Sequence, residues 1–158
     1  MTYDPAYGYL LLAMVLGGVV GWERFLDHKP AGLRTHTLVS LGAAGVMIAA
    51  RGMMGDDPAA HRELSRVVQG VITGIGFLGA GSILQSGVNV RGLTTAASIW
   101  VVAAIGVAAG GGQVGYAIAL TVLTWVVLRG FRGIEQAWRR RHPRIRPQAR
   151  AGEPFDRG

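Results

Sequence analysis

The apolar residues of this chain collect into five blocks instead of alternating with polar ones: Tyr7–Trp22, Thr37–Ala50, Val67–Leu84, Leu93–Gly110 and Val114–Leu128. Nothing else in the sequence limits its fold as tightly. The last three blocks contain no charged residue, whereas a helix on the surface of a soluble domain carries a polar face. The pattern predicts an all-α fold, a polytopic membrane helix bundle of about five transmembrane helices. Several blocks are shorter than the ~20 residues that cross a hydrocarbon core, so the spans are expected to recruit polar flanks or to tilt.

A soluble helical domain is the competing reading, and the modest mean hydropathy of +0.33 leans toward it. Against it, half of the residues are hydrophobic and only 16% are charged. Outside the two charged loops and the tail, little remains to solvate a globule. Residues 1–6 carry no Lys or Arg, so the first block is expected to stay as a span and not to be a cleaved signal.

The sequence has no cysteine, and its net charge of +7 is unevenly spread: nine arginines lie between Arg129 and Arg157. With five spans and the C-terminus in the cytoplasm, thirteen basic residues fall inside and three outside, Arg51, Arg62 and Arg66. The positive-inside rule then puts the N-terminus outside. We expect a transmembrane domain over residues 1–128, followed over 129–158 by a basic juxtamembrane helix and a disordered cytoplasmic tail. Phe131, Ile134 and Trp138 at helical spacing among arginines suit a helix lying on anionic lipid headgroups, and no nucleic-acid partner is expected.

Gly74-x-Gly76-x-x-Gly79 matches a dinucleotide fingerprint on paper, but no acidic residue stands between Glu63 and Glu135 to hold a ribose. Small residues three or four apart instead favour close helix packing in lipid, so Gly70, Gly74, Gly76, Gly79 and Gly81 are expected to be packing positions, as are Gly17, Gly18 and Gly21. The alternative is that five glycines within twelve residues break the third helix and expose carbonyls for a ligand.

Polar groups at membrane depth are few. Glu23 and Arg24 close the first block, Arg34, Thr35 and His36 open the second, Gln69 starts the third, and Arg91, Thr94 and Thr95 open the fourth. Arg24 and Lys29 suit a headgroup role, and the two threonines suit helix capping. A carboxylate at Glu23 needs a cation to answer it, and Arg34 or Arg91 on neighbouring helix ends can do so. The Lys29-Pro30-Ala31-Gly32 turn is expected to fold the chain back so that Arg34 does so. His28, His36 and His61 lack acids at ligand spacing, so neither a metal site nor a cofactor is expected, and the want of a nucleophile or base argues against an enzyme.

Four ordered strings, G-x-E-R, A-G-L-R-T-H, G-I-G-F-L-G-A-G-S-I and R-G-L-T-T-A-A-S-I-W, resemble the signature blocks of the MgtC/SapB family of bacterial inner-membrane proteins. The resemblance runs from about Leu10 to Leu128. It implies a multi-pass membrane domain without enzymatic activity. The family is linked to growth under magnesium limitation and survival in host macrophages, and its founding members to action on an F-type ATP synthase. By motif, the positions carried over are Glu23, Arg24, Gly32, Arg34, Thr35, Gly76, Gly79, Gly81, Arg91, Thr94 and Thr95. The best-known members continue into a soluble domain, where this sequence has an Arg-rich tail.

Two function classes follow. One is a regulator that binds another membrane complex through its glycine-rich faces. The other is a small oligomeric magnesium or proton transporter with a path lined by Gln69, Thr73, Ser82, Thr94 and Thr95. The lack of carboxylates in the last three blocks favours the first.

Overall fold

A computed structural model describes residues 4–54, 60–86 and 89–141 of the chain. Among the described residues five long helices follow one another: α1 (Pro5–Leu26), α2 (Leu33–Met54), α3 (Ala60–Gly81), α4 (Leu93–Gly110) and α5 (Val114–Arg141). All five are long and apolar enough to cross a membrane. Each of the first three has 22 residues and reaches past its apolar block into charged flanks, giving roughly 33 Å of helix, enough to span.

Local signals set most of the ends. Asp4 caps α1, its Oδ1 accepting the Ala6 amide at 2.9 Å, and Pro5 follows where a missing N–H costs nothing. The chain leaves α1 through His28, in the left-handed region at φ 53°, and Pro30 keeps the helix from resuming. Between α3 and α4 the sequence forms a feature that apolar periodicity does not reveal: β1 (Leu84–Ser86) pairs antiparallel with β2 (Asn89–Arg91), with Leu84 opposite Arg91. Gly92 then starts α4 at φ +91°, with the Ser82 carbonyl so close behind it that a Cβ has no room. Thr94 and Thr95, expected as caps, do not cap this helix.

The core lies among α1, α2 and α4, where Ala13, Val20, Ala44, Val102, Ile105 and Ala109 are buried with Ala117 of α5. Two Gly-x-x-x-Gly pairs make the contact possible. Gly17 and Gly21 of α1 back onto Ser40, His36 and Leu33, and on the opposite side Gly106 and Gly110 of α4 back onto Ser40 and Ala44. A Cβ on Gly110 would stand 2.5 Å from the Ala44 carbonyl, and one on Gly106 would overlap that of Ser40. α2 is thus gripped between two side-chain-free stripes.

The expected glycine packing of α3 is corrected by this arrangement. Gly79 does pack, its added Cβ falling 3.7 Å from Ala96 of α4, but Gly70, Gly74, Gly76 and Gly81 touch no neighbouring helix. α3 is nonetheless continuous, because seventeen non-glycine residues and its intact backbone bonds carry it through. Only 6% of its span is covered by the rest of the chain, against 50% for α4. α5 also runs unbroken across the boundary expected at 128/129. The tail expected to be disordered lies outside the described residues.

Candidate functional site

The end of the bundle where α1 stops and α2 begins holds a buried polar cluster. Glu23 and Arg24 come from the last turn of α1, His36 and Ser40 from the first turns of α2, and Thr95 and Ser98 from the start of α4. All six are buried, Glu23 to 2% exposure and Arg24 to 3%. Helical geometry assembles them: His36 and Ser40 are one turn apart on one face of α2, and Thr95 and Ser98 share a face of α4.

His36 bridges the helices. Its Nδ1 donates to the Gly32 carbonyl at 2.9 Å, since a carbonyl can only accept, and its Nε2 lies 3.0 Å from Ser98 Oγ. Ser98 Oγ in turn lies 2.8 Å from the Thr95 carbonyl. Arg24 reaches across from α1 and donates from Nη2 to Thr95 Oγ1 at 3.4 Å.

Glu23 is answered by α5. Arg132 Nη1 stands 3.9 Å from Glu23 Oε1 and the same guanidinium pairs with both carboxylate oxygens of Asp27. The expected partner, Arg34, is exposed and forms no ion pair among the described residues. The turn folds the chain back as expected, but Arg34 projects outward while its helix neighbours His36 and Ser40 project inward. Arg24, expected at the headgroups, is buried instead, and Arg132, assigned to the lipid-facing tail, is turned toward the bundle.

The other sequence candidates lie apart from this cluster. Thr94 is exposed and borders a cavity beside it. Thr35 lines a separate groove with Pro30, Phe77, Leu78 and Ile99. Arg91 is exposed on β2, and Gln69 is exposed on α3, where its carbonyl accepts from Thr73 Oγ1 at 2.8 Å. Ser40, Ser98, Asp27 and Arg132 were not among the candidates. The two serines carried a usable signal, as isolated hydroxyls in apolar runs four and three residues from a motif residue.

Four buried atoms of the cluster, both Glu23 carboxylate oxygens, Arg24 Nε and Ser40 Oγ, make no hydrogen bond among the described residues. Groups this deep are ordinarily satisfied. Among the described residues no three His, Cys, Asp or Glu side chains come together as a metal site. The cluster can hold charge and relay hydrogen bonds between three helices.

The G-x-E-R and T-T-A-A-S strings are the parts of the sequence that meet here, and the sequence profile of the MgtC family matches residues 10–137. The chain belongs to the MgtC family. It is 46% identical over 110 residues to Protein MgtC of Brucella abortus, which covers 70% of this chain and 44% of that protein. It is 44% identical over 141 residues to Protein SrpB of Synechococcus elongatus, covering 83% of this chain and 78% of SrpB. A third relative, YhiD of Escherichia coli, is named a candidate magnesium transporter and is 43% identical over 125 residues, covering 77% of this chain and 58% of YhiD. This MgtC-family chain thus spans less than half the length of the Brucella protein. No solved structure matches it. Family membership and five apolar helices make it a multi-pass membrane protein.

Proposed function

We propose that this protein is a non-enzymatic regulator in the bacterial inner membrane that acts by binding another membrane complex, of the ATP synthase type, and carries no ion itself. The observation that carries this reading is the division of the core. All the buried polar side chains of α1, α2 and α4 sit toward one end, and from there the axis is filled by Ala13, Ala44, Ile105 and Ala109. A closed apolar plug of this kind is a barrier to ions. The uncovered α3, with Gly70 and Gly74 bare and Phe77 82% exposed, supplies the surface for a partner. Arg24, Lys29, Arg34, Arg91, Arg129 and Arg132 at the cluster end support an N-terminus outside and a C-terminus in the cytoplasm.

The second reading is transport through an oligomer. YhiD's name favours it, as do the exposed Gln69 and Thr73 on α3, which a second copy could place along a shared path. One experiment separates the two: magnesium and proton flux with purified protein in liposomes, with Glu23→Ala as the control, beside photo-crosslinking from position 77 in cells. Silent liposomes and a discrete crosslinked partner are the expected result. Flux that disappears in Glu23→Ala would overturn the regulator.

A further inference from the structure

Beside the buried cluster a cavity of about 290 Å³ opens at the same end of the bundle. Arg24, Asp27 and Lys29 line it from α1 and the turn after it, Thr94 from α4, and Phe131 and Arg132 from α5. Three cations face one carboxylate. Arg132 is held by Asp27, while Arg24, with the Glu23 charge beside it, and Lys29 form no ion pair among the described residues.

Two further observations show that this wall is short of an anion. Arg24 is 3% exposed, its Nε has no hydrogen-bond partner, and its bond to Thr95 is long at 3.4 Å. A buried guanidinium has five N–H groups to satisfy and a planar fork suited to oxyanions. In addition, the Lys29 ammonium and the Thr94 hydroxyl make no hydrogen bond or ion pair among the described residues, although both border the cavity. Glu23, whose carboxylate faces Arg132, is not part of the cavity wall. A cation would therefore meet Asp27, already paired, and three positive charges.

We propose that this cavity binds a phosphate-class anion, a phosphomonoester or phosphodiester, through Arg24 and Lys29 with Thr94 donating from its hydroxyl. The apolar side supplied by α5 at Phe131 accommodates the carbon skeleton attached to the phosphate. Such a ligand has two sources, an anionic lipid headgroup or a soluble phosphate compound. The site does not depend on the docking role of α3.

The test uses the full chain in neutral detergent. Native mass spectrometry follows retention of dioleoyl-phosphatidylglycerol against dioleoyl-phosphatidylcholine, and phosphorus NMR follows a titration with inorganic phosphate. Lys29→Gln and Thr94→Val alter exposed side chains and are checked for an unchanged melting midpoint. Each is expected to weaken binding about tenfold, the effect of losing one charge-assisted hydrogen bond. Selective retention of phosphatidylglycerol with no phosphate binding identifies a lipid source, and saturable phosphate binding with the same variant sensitivity identifies a soluble one. The proposal is overturned if neither probe binds, if both lipids are retained equally without phosphate binding, or if binding ignores both substitutions.

Discussion

Arg132 of α5 stands 3.9 Å from Glu23 of α1 and pairs at the same time with Asp27, one turn further along α1. One guanidinium therefore ties the last helix to two carboxylates at the end of the first. Glu23 is 2% exposed, so its charge has this one cation in reach among the described ion pairs.

Removing the cation should leave a buried carboxylate alone. Arg132→Gln is expected to lower stability by roughly 2 kcal/mol, less than the 3–5 kcal/mol typical of a fully buried pair because the Arg132 side chain is 31% exposed. The double variant with Glu23→Gln should recover much of that loss. Thermal midpoints in detergent for the two single variants and the double variant measure the coupling.

Arg34→Ala should behave very differently, despite the place of Arg34 in a signature string. The side chain is exposed and without an ion pair among the described residues, so its loss should shift stability by no more than about 0.5 kcal/mol. A loss comparable to that of Arg132→Gln in the same melting assay would mean that Glu23 is answered by Arg34 after all.

Alanine substitutions at glycine should divide by location. At Gly106 or Gly110 the new methyl meets the backbone of α2, and the chain should fail to yield folded protein. At Gly74 or Gly76 it meets nothing, and higher helix propensity should raise stability by about 0.5–1 kcal/mol. Size-exclusion profiles and melting midpoints distinguish these outcomes. A well-folded Gly106→Ala protein would contradict the described contact between α2 and α4.

Ser98→Ala removes the hydroxyl that lies 3.0 Å from His36 Nε2. A buried ring nitrogen is then left unsatisfied, which should cost about 1–3 kcal/mol. His36→Ala/Ser98→Ala should cost less than the sum of the single changes, as measured by a double-mutant melting cycle.

The spans were legible because charge-free apolar runs have few other destinations. So was the turn between α1 and α2, through Pro30 and Gly32, and so was the place of Glu23 at the end of the first span. The partner of Glu23 was not. Arg132 looks like one more topology charge in an Arg-rich tail until α5 is known to continue as a helix past Leu128 and lie beside α1. Three Gly-x-x-x-Gly pairs lie within the apolar blocks, at 17/21, 70/74 and 106/110, yet only the first and last meet α2. Spacing reports that a helix can be approached closely, and only the tertiary arrangement decides by what. The short strands 84–86 and 89–91 were missed because three-residue strands of mixed polarity carry no periodic signal.

The thin coverage of α3 bears on how the chain is made. Of the five spans it is the least apolar, and its close contact with α4 runs through Gly79 against Ala96, which are synthesised in that order. A ribosome delivers α3 to the insertion machinery with α2 already made but before α4, the helix it packs against most, exists. The expected consequence is that α3 settles in the bilayer together with α4, across the short β1–β2 connection between them. Lengthening the hairpin should impair membrane insertion before it disturbs any contact in the finished protein.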